Sequence, residues 1–256
     1  MSAPLLEVRG LHHWFGGLHV IDGVSFVCQP QTVKAIIGPN GAGKTTLFNL
    51  VAGALSPVGG SIFFDGIPTT GLPPHRIAAH GISRTFQATR LFPRMTVLEN
   101  VMVGMHGRSR HGFLAGMAGP AVTRREEARV RVSCLDVLSS LGIAELARRD
   151  AQDLPFGRQR GGELARALAS GPRLLLLDEP ACGLNPRETE EMAVLIGSLR
   201  ARGITVLVVD HDMSLVMGIS DEVLVLSFGQ TIAEGTPREI QANPEVIQVY
   251  LGADDA

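Results

Sequence analysis

Gly38-Pro-Asn-Gly-Ala-Gly-Lys44-Thr45-Thr46 fills every required position of the pattern G-x-x-x-x-G-K-[ST]. It falls between an unbroken apolar run, Val33 to Ile37, and a helical run, Leu47-Phe48-Asn49-Leu50-Val51. No other stretch constrains the fold as much: a strand must deliver this loop and a helix must carry it away. Glycines let backbone N–H groups turn inward around phosphate oxygens, and the following helix adds the positive end of its dipole. Gly38, Pro39, Asn40, Gly41, Ala42, Gly43, Lys44, Thr45 and Thr46 are therefore the candidate phosphate cradle. In it, Lys44 reaches the β- and γ-phosphates and the Thr45 hydroxyl ligates Mg²⁺. The alternative is a glycine-rich turn with an incidental lysine. Composition weighs against it: of 23 basic residues only Lys34 and Lys44 are lysine, and an ammonium is not interchangeable with a guanidinium at such a site.

Further apolar runs, Leu174 to Asp178, Ile204 to Asp210 and Val223 to Leu226, match strands buried on both faces. With Val33 to Ile37 they predict a parallel core sheet. Glu7 to Phe15, Val24 to Val27 and Ile62 to Asp65 are broken by Gly, Asp and Pro turns and predict an antiparallel flank. Four capping-box patterns start helices at Thr96, Thr123, Asn185 and Thr236, the last two followed by proline. Alternating strands and helices predict an open α/β fold. Thr96 to Asp150 reads as mostly helical and inserted, with a Gly-, Met- and Arg-rich loop over Gly104 to Gly119.

Two more elements carry chemistry. The run Leu174 to Leu177 ends in Asp178-Glu179-Pro180, which puts two carboxylates at a strand's C-terminal edge, where ligands bind in open α/β sheets. Asp178 would hold the Mg²⁺ shell and Glu179 would polarise an attacking water. The strand from Ile204 ends in Asp210-His211-Asp212, where neutral His211 would hydrogen-bond the γ-phosphate and the water.

Bulk properties exclude other roles. Acidic and basic residues nearly cancel, 25 against 23, which leaves no nucleic-acid footprint. The apolar runs are far shorter than the roughly 18 to 20 residues that span a bilayer. The N-terminus lacks a charged and then apolar leader, so no secretory signal is expected. Cys28, Cys134 and Cys182 have no metal-like spacing and suit a reducing cytosol.

With these elements in order, the chain resembles the nucleotide-binding subunit of ATP-binding cassette transporters over nearly its whole length. The resemblance implies a P-loop NTPase (RecA-like) fold: an α/β parallel core sheet, an antiparallel β flank and an inserted helical subdomain. The expected division is 1–90 with 163–256 as the core, and 91–162 as the helical subdomain. It also implies that ATP and Mg²⁺ bind between the cradle of one subunit and a signature helix of another. Phe15 matches the aromatic that stacks on adenine, Gln87 the Mg²⁺ and water contact, and His211 the switch histidine. Leu154 to Arg158 occupies the signature, with Gly157 facing phosphate. The block Ala88 to Asn100 corresponds to the groove for the coupling helix of a membrane subunit.

The wording around Arg84-Thr-Phe-Gln, Asp178-Glu-Pro-Ala-Cys-Gly-Leu-Asn-Pro, His211-Asp-Met-Ser-Leu and Asn243-Pro-Glu-Val-Ile-Gln-Val-Tyr-Leu-Gly is similar to ATPase subunits of branched-chain amino acid importers. The implied partners are two integral-membrane permeases, a second ATPase subunit or a second copy, and indirectly a periplasmic binding protein, at the cytoplasmic face of a bacterial inner membrane. Alternatives on the same fold are a regulatory or partly degenerate nucleotide-binding subunit, or a lipopolysaccharide-export-type ATPase. A soluble cassette acting on DNA or ribosomes would need a second cassette or a coiled-coil insertion.

Three departures stand out. Pro155 and Phe156 replace the usual Ser and Gly of the signature. Gly161-Gly162 sits in a stretch that reads as an amphipathic helix from Glu163 onward, and each glycine costs about 1 kcal/mol relative to Ala. These glycines are expected to loosen the helix start, with Arg158 and Arg160 either compensating in part by bringing positive charge to phosphate or simply solvated. Asn185 stands where many cassettes place Asp.

Overall fold

The computed structural model describes residues 3–85, 91–105 and 120–251. The chain divides into two compact units, Met1–Arg84 with Arg173–Ala256, and Thr85–Pro172.

The first unit holds both sheets. The smaller is antiparallel: β1 (Leu6–Phe15) lies between β2 (Leu18–Cys28) and β4 (Gly59–Phe64), and the short β5 (Ile67–Pro68) closes one edge. The larger has the order β10-β9-β3-β8-β7-β6, formed by β3 (Val33–Ile37), β6 (Ile82–Arg84), β7 (Leu174–Asp178), β8 (Thr205–Val209), β9 (Glu222–Ser227) and β10 (Gln230–Gly235). Its inner pairs and β6·β7 are parallel, and only β10 runs antiparallel to its neighbour.

Every residue of β3, β7 and β8 is buried. This is why those strands read as unbroken apolar runs. Each fully buried leucine or valine contributes about 1.5–3 kcal/mol relative to exposure. The helix α1 (Lys44–Val51) buries Leu47, Phe48, Leu50 and Val51 in the core that the inward residues of the two sheets share.

The exception to apolarity in β3 is Lys34. Its side chain is buried, yet Nζ donates to Glu222 Oε2 of β9 at 2.8 Å and also bonds Glu234 Oε1 of β10. Burial pulls the ammonium's pKa down, but hydrogen bonds to these two carboxylates raise it on balance. Burial also pushes the Cys28 thiol up to about 12, and Cys134 to about 11. Neither thiol is a nucleophile at neutral pH.

Helices α2 (Pro74–Ala79), α6 (Pro186–Ala201), α7 (Met213–Ile219), α8 (Pro237–Ala242) and α9 (Pro244–Leu251) complete this unit. The expected capping boxes form at Asn185 with Glu188 and at Thr236 with Glu239, with Pro186 and Pro237 in the first turn.

The second unit contains α3 (Val97–Gly104), α4 (Pro120–Ser140) and α5 (Phe156–Ala169) around a separate core that includes Val97, Val101, Leu138, Leu154 and Ala165. Thr96 and Glu99 form the expected capping box on α3. The box expected at Thr123 does not cap a start, because α4 begins at Pro120 and Thr123 lies within it. Most of the Gly104–Gly119 loop lies outside the described residues.

The sequence reading of α5 needs correction. The helix begins at Phe156, so Gly161 and Gly162 are buried in its interior turns rather than at its start. A Cβ on Gly161 would lie 3.5 Å from Ile143 Cδ1, and one on Gly162 would lie 3.2 Å from Leu91 Cδ1. Only Gly162 therefore serves close packing; at Gly161 a methyl group would make ordinary contact. Arg160 is likewise buried. It donates to Glu163 Oε2 at 3.1 Å and lies over the Phe156 ring at 5.1 Å, so its charge is spent inside the unit. Arg158, by contrast, is exposed.

Candidate functional site

Three parallel strands end at one level. Val209 of β8 is in register with Ile36 on β3 and with Asp178 on β7. The cradle after β3, the carboxylates after β7 and His211 after β8 therefore leave the sheet along the same C-terminal edge.

Gly38 adopts φ 151° and Gly43 φ 98°; a Cβ would meet Leu226 O at 2.1 Å from the first and Val20 O at 2.7 Å from the second. No other residue fits either position. Gly43 is also the N-cap of α1 and supplies no side-chain cap, which leaves the first N–H groups of the helix directed outward. Lys44 folds back onto the loop, its Nζ donating to Gly38 O at 2.6 Å and Pro39 O at 2.8 Å. Burial lowers the Lys44 pKa, while the charge of Glu179 pulls the other way without reversing it. Thr45 is exposed on the first turn of α1 and Thr46 is half-buried.

Asp178 is buried, and its Oδ2 accepts from Arg84 Nη2 at 2.7 Å; Arg84 Nη1 donates to Asn49 Oδ1 at 2.6 Å. Glu179, half-buried, has φ 48°, and its backbone N–H is fixed to Val209 O at 2.7 Å. Asp210 is also buried and binds both neighbouring loops. Its Oδ2 accepts from Ala181 N at 3.0 Å, and its Oδ1 from His211 N at 2.8 Å and Asp212 N at 2.9 Å. His211 is 68% exposed at its side chain, so its ring is presented outward.

Phe15, at the end of β1, is 50% exposed and meets the His13 ring edge-on at 4.8 Å. Gly157 is the second residue of α5, in the other compact unit, where Pro155 provides no side-chain cap. Gln87 lies outside the described residues.

A loop whose Gly38 and Gly43 admit no Cβ, an uncapped helix start and a donor set of one hydroxyl and carboxylate oxygens fit a phosphate with Mg²⁺. Sequence reasoning missed three contributors: Arg84, Asp210 and Tyr250. Tyr250 of α9 is linked to the cradle by a hydrogen bond from the Gly38 backbone. Burial raises its phenol pKa, and this bond offsets the rise only in part. Each has a partner in a distant part of the chain, which periodicity cannot show.

The family model for "ABC transporter" matches residues 21–182, and that for "Branched-chain amino acid ATP-binding cassette transporter" matches 230–256. The chain belongs to the ABC transporter family as an ATP-binding subunit. It groups there with the branched-chain amino acid transport ATP-binding proteins: it is 46% identical to BraF of Pseudomonas aeruginosa over 98% of this chain and 99% of that protein. It is 45% identical, at the same coverage, to LivG of Escherichia coli. A crystal structure of the ADP conformation of an ABC transporter cassette superposes with a TM-score of 0.87 at 30% identity, covering 98% of this chain and all of that one. Among the described residues, no helix is long and apolar enough to cross a membrane.

Proposed function

We propose that this subunit hydrolyses ATP to drive import of branched-chain amino acids, the solutes named for its relatives BraF and LivG. The observation that carries the mechanism is the shared level at which the cradle, Asp178–Glu179 and His211 leave the sheet.

Phosphate oxygens are received by the N–H groups of Gly41 and of Gly43 to Thr46, and Lys44 exchanges its two loop carbonyls for the β- and γ-phosphates. Phe15 stacks on the adenine. Thr45, Asp178 and Gln87 would hold Mg²⁺, which would supply neutralisation of the phosphate charge. Arg84 holds the Asp178 carboxylate in place. Glu179 accepts a proton from the attacking water and His211 orients that water against the γ-phosphate. Asp210 keeps the two loops that carry Glu179 and His211 in one arrangement. Gly157 at the start of α5 closes over nucleotide held by a second ATPase subunit, so the active unit is a pair.

The segment Leu91–Thr96, with Phe92 exposed and Asn100 bonding Phe92, Met95 and Thr96, receives a permease's coupling helix. Two permeases and a periplasmic binding protein complete the assembly, with this subunit at the cytoplasmic face of the inner membrane.

Glu179→Gln keeps the shape of the site but removes the base. In the reconstituted transporter, ATP turnover is expected to fall at least 100-fold with nucleotide binding retained. An unchanged rate would reject the catalytic role of this chain.

A further inference from the structure

On the β1–β2 hairpin, three side chains unused by the nucleotide chemistry meet. His12 Nδ1 and His19 Nε2 are 3.3 Å apart, and Asp22 Oδ1 lies 3.4 Å from the first and 3.6 Å from the second. Zn–N bonds of about 2.0–2.1 Å in a tetrahedral shell place ligand atoms about 3.3–3.4 Å from one another. The triangle of nitrogen, nitrogen and oxygen thus has the dimensions of one tetrahedral face.

The backbone explains how the three converge. His12 is the cross-strand partner of Asp22, and Trp14 of His19. Residues 19 and 22 would face opposite sides of a regular strand. The pairing shifts between His13 and Trp14, leaving Val20 as an extra residue on β2. That bulge turns His19 and Asp22 to the same face. The His12 ring occupies a slot beside Gly23 and Gly59, where a Cβ on either would lie within 3.7 Å of it. The His12 and His19 planes are within 19° of each other, with centroids 5.5 Å apart. The second oxygen of Asp22 is fixed by Gln230 Nε2 at 2.7 Å, the kind of outer partner that orients a ligating carboxylate. His12 Nδ1 at present accepts from Gly23 N at 3.2 Å; Gly23 is exposed, so water can take that amide when the nitrogen is claimed.

We propose that His12, His19 and Asp22 form a binding site for a divalent transition-metal ion, Zn²⁺ being the best fit. Two imidazoles and one carboxylate select against Mg²⁺ and Ca²⁺, which take oxygen shells. Three protein ligands leave a fourth position for water. The ion would clamp β1 to β2 behind Phe15. The bulged Val20 is also the residue whose carbonyl abuts Gly43, so the clamp borders the phosphate cradle.

The protein carries its own probe, because its single tryptophan, Trp14, stacks on His19 with centroids 4.1 Å apart and planes 9° apart. Chelator-stripped full-length protein is titrated with Zn²⁺ by calorimetry, and with Co²⁺ while Trp14 fluorescence and visible absorption are followed. One ion per chain, quenching of Trp14 that saturates at one equivalent and a tetrahedral Co²⁺ spectrum are expected. H19Q and D22N should each weaken Zn²⁺ binding at least tenfold and abolish the quenching. D22N preserves side-chain shape, so it reports even if H19Q folds poorly. Absence of saturable binding, or stoichiometric binding undiminished in D22N, overturns the proposal.

Discussion

Asn185 shows how one side chain can answer a local need that a family comparison overlooks. Its Oδ1 accepts from Glu188 N at 3.0 Å while Glu188 Oε2 accepts from Asn185 N at 3.0 Å. Asp would cap α6 as well as Asn, whereas Ala would leave the Glu188 N–H without its acceptor. Asn185→Ala is expected to cost about 1 kcal/mol and Asn185→Asp almost nothing, measured by urea unfolding. The glycines of α5 give a sharper contrast. An alanine at 161 meets Ile143 at ordinary contact distance, so G161A should gain up to about 1 kcal/mol of helix stability. At 162 the Leu91 methyl must yield, and G162A should gain clearly less or lose stability; paired thermal melts would separate the two. The glycine pair was visible in the sequence, but its purpose was not. It depends on Ile143 and Leu91, which reach α5 only through tertiary packing.

At the scale of elements, the buried strands were legible to within a residue, because burial on both faces leaves an uninterrupted apolar run. The strands β6 and β10 were not. The first is three residues long, and the second is a polar edge strand defined by its partner β9. Lys34 joins β3, β9 and β10, and Lys34→Met should cost about 2 kcal/mol by leaving two carboxylates without their cation. That lies below the cost of breaking a fully buried pair, because both carboxylates are partly exposed. The capping boxes on α3 and α8 add an acid dependence. Backbone and side-chain hydrogen bonds from Thr96 and Thr236 hold Glu99 and Glu239 below the usual carboxylate range. A depressed folded-state pKa stabilises above the unfolded value of 4.5 and loses that contribution as pH falls through the folded value. Unfolding free energies taken from about pH 5 to about pH 3 should therefore decline less steeply in an E99Q/E239Q double variant.

For the whole molecule, the phosphate cradle and the carboxylate pair were readable because each depends on a contiguous run at a strand end. What the sequence could not display is the wiring between those runs: Arg84 to Asp178, Asp210 to Ala181, Tyr250 to Gly38. Glu179, its N–H fixed to Val209 O, sits among these contacts in a left-handed backbone conformation which a side chain adopts at a cost of about 1 kcal/mol or more. A glycine there would be relaxed. Glu179→Gly is accordingly expected to melt higher than the parent chain while turning over no ATP. Selection for durability alone would drift toward that inert protein, so a thermostability screen run without an activity filter should recover position 179 among its hits.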